Sequence, residues 1–326
     1  MAHFGINNLF LLLGALSMNA LAQQPDLETR LEQCRQMRIS GHYLEAKQAL
    51  TALLADARRK PEGTFAVRVM DSLGTTQQDL ADYLGAERTL TEAIAELNRN
   101  GQKTGDLVAQ VKSHLGETYL EEGRYREAKA VLRQVLEMRQ NDETGDPELV
   151  AVAMLDLAMA YSHTGGDREG EALLRSSLRI LEARRGPDHP MLAAALGPLS
   201  SLLARSHRYE EALATTERSW HVLSGNPKVA EPDLLNTMSA LGTLYALNGR
   251  PAEGEPYAKR SVERAEFIYG PDHPRLGWYL KAYADVLKRL GRQKDARKTE
   301  QRASAILQRN EELNPVQHTV NVNALR

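Results

Sequence analysis

Gly123-Arg124-Tyr125-Arg126-Glu127-Ala128 recurs as His207-Arg208-Tyr209-Glu210-Glu211-Ala212 and again as Gly291-Arg292-Gln293-Lys294-Asp295-Ala296. The closing small residue defines a ladder of Ala46, Ala86, Ala128, Gly170, Ala212, Gly254 and Ala296, with one step of 40 residues and five of 42. Twelve residues before each rung stands another small residue: Cys34, Gly74, Gly116, Ala158, Ser200, Gly242 and Ala284. One period thus predicts fourteen positions, and all carry small side chains. An internal repeat of seven units is the organising fact of the chain.

Each unit reads as two helices. In Leu115-Gly116-Glu117-Thr118-Tyr119 the apolar groups flank the small residue and return three residues on, forming one helical face. A polar turn, Glu121-Glu122-Gly123-Arg124, leads to a second helix whose stripe is Ala128, Leu132 and Val135. Glycine inside a helix costs about 1 kcal/mol relative to alanine. Its recurrence at 74, 116, 170, 242 and 254 therefore implies close approach of a neighbouring helix.

Composition agrees with this reading. Among 326 residues, Leu and Ala number 48 and 41 while Val and Ile together reach 21, which disfavours a sheet-rich fold. Aromatic residues make up 5%, too few to fill one large core. A single cysteine, Cys34, excludes an intramolecular disulfide framework and a cysteine-based zinc site. Cys34 occupies a packed repeat position, which predicts an inert buried thiol. Net charge is −2 and gives no support to nucleic-acid binding.

These features resemble the tetratricopeptide repeat, in its 42-residue variety similar to kinesin light chains and their bacterial relatives. The linker Gly186-Pro187-Asp188-His189-Pro190, repeated as Gly270-Pro271-Asp272-His273-Pro274, is a signature of that variety, as is Gly254-Glu255-Pro256-Tyr257. The resemblance covers about residues 27–308 and implies an all-α, right-handed solenoid of seven helical hairpins. It implies a binding function with no catalysis and no cofactor.

In the family's arrangement, concave-face positions lie six and three before, and one and four after, the upstream small residue. In this chain they are Arg35 and Arg38; Arg68, Asp71, Thr75 and Gln78; Ser113, Glu117 and Leu120; Leu155, Met159 and Ser162; Ala194 and Ser201; Asn236, Ser239 and Thr243; and Trp278, Lys281, Asp285 and Lys288. As a set they predict an exposed groove with a small, mildly polar floor and charged ends, suited to a peptide segment or protein partner. Two family devices are missing. No asparagine ladder precedes the small residues, and the Lys/Asn clamp for a terminal carboxylate is not reproduced. Pro198 falls inside a first helix, where it should kink or open the chain; it reads as a tolerated irregularity or as a groove feature.

The paired Asp188-His189 and Asp272-His273 invite a metal reading. The linker is better explained by capping: glycine ends one helix, Asp or His caps the next, and proline fits its first turn. Phosphate-binding loops, zinc-protease helices and the Gly-x-Ser-x-Gly elbow do not occur in the sequence. An enzyme or enzyme-accessory domain acting on a cell-envelope glycan, and a self-assembling structural protein, are the rival function classes.

Residues 275–309 hold ten Lys or Arg against three acids, while everything before 275 carries −8. This basic end reads as a solubilising cap or as a dock for an acidic partner. Residues 1–22 read as a signal peptide, with the apolar run Leu9–Leu16 and Ala20-Leu21-Ala22 before a cleavage point after Ala22. The run is too short for a comfortable transmembrane span. Its leading residues lack Lys and Arg, so an uncleaved anchor is the alternative. The mature chain would be exported to the periplasm or beyond the cell, with the solenoid spanning 23–309. Residues 310–326 are expected to form an extended or disordered tail.

Overall fold

The computed structural model describes residues 26–59, 63–142, 144–225 and 231–313. The predicted signal peptide and most of the predicted tail lie outside them. Fourteen α-helices and one 3₁₀ turn occur among the described residues, with no strand. They fall into two units, divided after Gly123.

The first unit holds α1 (Leu27–Ile39), α2 (Tyr43–Ala57), α3 (Phe65–Asp79), α4 (Tyr83–Arg99) and α5 (Asp106–Glu121). Each helix packs on the next, and α3 also touches α1 and α5. The second unit holds α6 (Tyr125–Gln140), α7 (Pro147–His163), α8 (Asp167–Arg185), α9 (Ala193–Arg205), α10 (Tyr209–Ser224), α11 (Glu231–Leu247), α12 (Pro251–Tyr269), α13 (Pro274–Arg289) and α14 (Gln293–Leu313). In this unit too, neighbours in sequence pack side by side. Helix α14 continues four residues into the segment expected to be a tail.

All fourteen repeat positions are buried. The reason is visible at the crossing of α11 and α12. A Cβ on Gly242 would lie 2.6 Å from the Cβ of Ala258, and one on Gly254 would lie 2.5 Å from the Gly242 carbonyl oxygen. Backbone meets backbone there, and a larger side chain would force the helices apart. Around these crossings, Leu174, Leu181, Leu196, Leu203 and Leu241 fill the second unit's core, while Leu50, Leu90 and Leu97 do so in the first. Cys34 is buried as expected, and burial pushes its thiol pKa up.

The linker behaves as a cap. Gly186 and Gly270 end α8 and α12 with φ of +89°, a conformation glycine adopts without steric penalty. His189 and His273 accept hydrogen bonds through Nδ1 from the backbone N–H of Met191 and Arg275, both at 3.2 Å. Pro190 opens the 3₁₀ turn Pro190–Leu192 that leads into α9, and Pro274 opens α13. After each first helix the chain takes one left-handed residue: Gly41, Ala81, Gly123, Gly165, His207, Gly249 and Gly291. From Ala81 onward that position keeps the 42-residue period.

Candidate functional site

In the first unit, several residues predicted to face a partner are held by their own neighbours. Arg35 Nε donates to Ser72 Oγ at 3.3 Å, Arg38 Nε to Asp79 at 2.6 Å, and Arg68 Nη1 to Glu28 at 3.0 Å. Gln78 donates to the His114 carbonyl and to Thr118 Oγ1, both at 2.7 Å. Asp71 accepts from Gln110 at 2.7 Å and pairs with His114 Nδ1 at 2.6 Å. Ser113 and Glu117 are half-buried on α5. The first helices of this unit are thereby stitched together by polar groups.

Three positions expected to be exposed are not. Asp71 is 3% exposed, Thr75 5% and Leu155 9%. Asp71 is covered because His114 and Gln110 reach across from α5, and Thr75 turns back onto the Ser72 carbonyl at 3.1 Å. Leu155 joins the apolar core of the second unit.

His114 shows what the stitching does to charge. Burial alone would lower its pKa, but the hydrogen bond and charge of Asp71 outweigh that and raise it. The imidazolium is therefore favoured between α3 and α5.

The second unit is built differently. Helix α7 packs on α9, and α11 packs on α13, but no comparable packing joins α9 to α11. A hollow of about 870 Å³ opens there, reaching Thr216, Ser219 and Leu223 of α10 behind. Its α9 wall is Ala194, Gly197, Pro198 and Ser201, and its α11 wall is Asp233, Asn236, Thr237 and Ala240. Met159 and Met191 close the side toward α7. A second hollow of about 570 Å³ shares Ser200, Ser201, Asn236 and Ala240 and extends past Ser239 and Thr243 to Arg275, Trp278 and Tyr279.

Helix α9 makes the space. Ala194, Gly197 and Ser201 share one exposed helical face, so the position where other first helices present larger groups is reduced to a methyl, a hydrogen and a hydroxymethyl. A Cβ on Gly197 would meet no atom within 4 Å apart from its chain neighbours, so no helix crossing requires this glycine. Pro198 lacks an N–H, so the Ala194 carbonyl has no i+4 amide partner, and both residues line the hollow. Pro198 is thus part of the groove wall.

The opposite wall is pre-oriented. The Tyr279 hydroxyl donates to Asn236 Oδ1 at 2.7 Å, which fixes the amide oxygen and leaves the N–H groups of this exposed residue as donors. Burial raises the Tyr279 pKa and keeps the phenol a donor. Trp278, at the edge of the second hollow, has 64% of its surface exposed.

Of the sequence-predicted residues, Met159, Ser201, Asn236, Ser239, Thr243 and Trp278 line one or both hollows. Lys281 and Asp285 are exposed on α13 but do not line either hollow, and Lys288 is tied to Asp285 at 3.2 Å and Glu300 at 3.0 Å. Met191, Asp233 and Arg275 were missed. Each lies nine residues before its repeat's small residue, one helical turn earlier than the offsets used, and that shared register is the signal that finds them.

Residues 106–181, 149–219 and 233–309 match the family model described as tetratricopeptide repeat. No curated protein matches the chain. Among solved structures, a Podosopora anserina protein described as a kinesin light chain with nearly identical TPR-like repeats is 20% identical. That match covers 61% of this chain and 95% of the other, with a TM-score of 0.51. The apo form of RapI is 10% identical over 88% of this chain and 100% of its own, with a TM-score of 0.66. NprR, solved with its cognate peptide NprX, is 13% identical over 97% of this chain and 88% of its own, with a TM-score of 0.59. At these identities the likeness is one of fold.

Proposed function

Because the chain belongs to the tetratricopeptide repeat family, we propose that it is a noncovalent scaffold whose second unit binds a peptide segment of a partner protein in the hollows along α9, α11 and α13. The observation that carries this reading is the clearing on α9, where Ala194, Gly197 and Ser201 leave about 870 Å³ beside a further 570 Å³. The walls combine apolar and small side chains with a few placed polar groups, the composition of a recognition site. The solved complex of NprR with its cognate peptide supports the choice of a peptide for this fold. The protein acts by binding alone, with no reaction of its own.

We further propose that residues 1–22 direct export and are removed after Ala22, placing the scaffold in the periplasm or outside the cell. No helix among the described residues is long and apolar enough to cross a membrane. Amino-terminal sequencing of the protein recovered from cell fractions tests this, with Gln23 the expected first residue. An intact Met1 in the membrane fraction would overturn it.

The binding reading is tested by panning a displayed library of linear peptides on the native protein and on Ser201→Leu. Ser201 is exposed and borders both hollows, so the leucine fills the groove without touching the core. Enriched peptides should bind the native protein and lose at least about tenfold on Ser201→Leu, or about 1.4 kcal/mol. Peptides that bind both equally, or no enrichment at all, would refute it.

A further inference from the structure

Each hollow is lined by one charged residue, and the two are opposite in sign: Asp233 in the first and Arg275 in the second. Both are exposed, and among the described residues neither belongs to an ion pair. Their surroundings make this notable. Glu231, two residues before Asp233, is bound by Arg264, whose Nε donates to it at 3.2 Å. Asp272, three residues before Arg275, pairs with Arg309 at 3.4 Å. Neighbouring charges are thus paired within the protein, while the two in the groove have no ion-pair partner among the described residues.

Arg275 is also held in place. Its Nη1 donates to the Tyr269 hydroxyl at 3.3 Å, and its guanidinium lies 5.5 Å from the centre of that ring. The remaining N–H donors stay available for a carboxylate, which a guanidinium can grip in bidentate fashion. Asp233 has the complementary chemistry, an acceptor-only carboxylate for an ammonium or guanidinium.

The two residues are 42 apart and occupy the same register on α11 and α13, which pack against each other. Packed helices run about 8–10 Å apart. An extended peptide advances about 3.3 Å per residue, so same-face side chains two and four positions apart lie about 7 and 13 Å from one another. These separations bracket the helix spacing, and long charged side chains absorb the difference.

Resting on the peptide-groove reading above, we propose that the ligand is an extended segment carrying a Lys or Arg that meets Asp233 and an Asp or Glu, two to four positions away, that meets Arg275. Between them the segment presents an apolar or aromatic side chain to Trp278 and the small-residue wall of α9. The opposed charges set which way round the segment lies, because reversing it places like charges together.

The test uses the same displayed library. On the native protein, enriched peptides should share one basic and one acidic residue two to four positions apart. A synthetic peptide of the best sequence should bind at least about fivefold more weakly to Asp233→Asn and to Arg275→Gln. The double reversal Asp233→Arg/Arg275→Asp should bind the native-selected peptide poorly and recover binding to the peptide with its two charges exchanged. Enriched peptides that lose affinity on Ser201→Leu but not on Asp233→Asn or Arg275→Gln would overturn the charge assignment and leave the groove reading standing. Peptides indifferent to Ser201→Leu would instead overturn the groove reading.

Discussion

Replacing Gly242 by alanine should weaken the protein, although alanine is the better helix former. A Cβ at that position would lie 2.6 Å from the Cβ of Ala258 and 3.0 Å from its Cα and backbone nitrogen. Non-bonded carbons rest about 3.5–4.0 Å apart, so α11 and α12 would have to separate by about 1 Å. Overpacking of this kind costs about 1–3 kcal/mol, against which removal of a helical glycine contributes about 1 kcal/mol. The net expectation is a loss of up to about 2 kcal/mol. Ala81 supplies the opposite case, since it sits in the left-handed turn after α3 with φ of +55°. That conformation costs an L-residue about 1–2 kcal/mol, and glycine gives back about 0.5–1 kcal/mol in lost chain entropy. Ala81→Gly should therefore stabilise by up to about 1.5 kcal/mol. Urea unfolding of Gly242→Ala and Ala81→Gly, followed by circular dichroism, reads both effects. A raised midpoint for Gly242→Ala would refute the close helix crossing as the reason for the small residues. A lowered midpoint for Ala81→Gly would refute the left-handed turn as a strained position.

Two further outcomes are expected. Folding favours the protonated form of His114, whose pKa is raised. The stability this confers is complete below the imidazole's unfolded pKa of about 6.5 and is lost as pH rises through the higher folded value. The urea midpoint should therefore decline as pH rises above about 6.5, and Asp71→Asn should flatten that decline; identical pH profiles for the two proteins would contradict it. Tyr279→Phe removes the donor that orients Asn236 and should weaken peptide binding by about 0.5–1.5 kcal/mol while preserving helix content. Unchanged affinity in calorimetric titration would show that the Asn236 amide is not used.

The repeat was legible because its physics is local and periodic. A helix crossing such as Gly242 against Ala258 leaves room only for a small residue, so the period is visible in the sequence. The capping roles of His189 and His273 were legible for the same reason, since a cap bonds within two residues of itself. The site was only partly legible. Fixed offsets from each small residue assume equivalent first helices, and α9 breaks that assumption with its 3₁₀ entry and Pro198. Met191, Asp233 and Arg275 lie at helix starts, just beyond those offsets. Asp71 was read as exposed because its cover, His114 and Gln110, comes from a helix about 40 residues away. Whether such a partner reaches across depends on side-chain packing between repeats, which a one-dimensional period does not encode.

The proposed binding of a peptide in the groove is tested most directly through Trp278. It is largely exposed at the edge of the second hollow, so a bound segment should bury it and shift its emission to the blue. Titration of the best library-selected peptide into the native protein should give a saturable, one-to-one fluorescence change. The change should vanish in Trp278→Phe, and Ser201→Leu should shift it to at least about tenfold higher peptide concentration. A peptide that binds with the same affinity to native and Ser201→Leu protein, leaving Trp278 emission unmoved, would place recognition elsewhere and contradict binding in the groove.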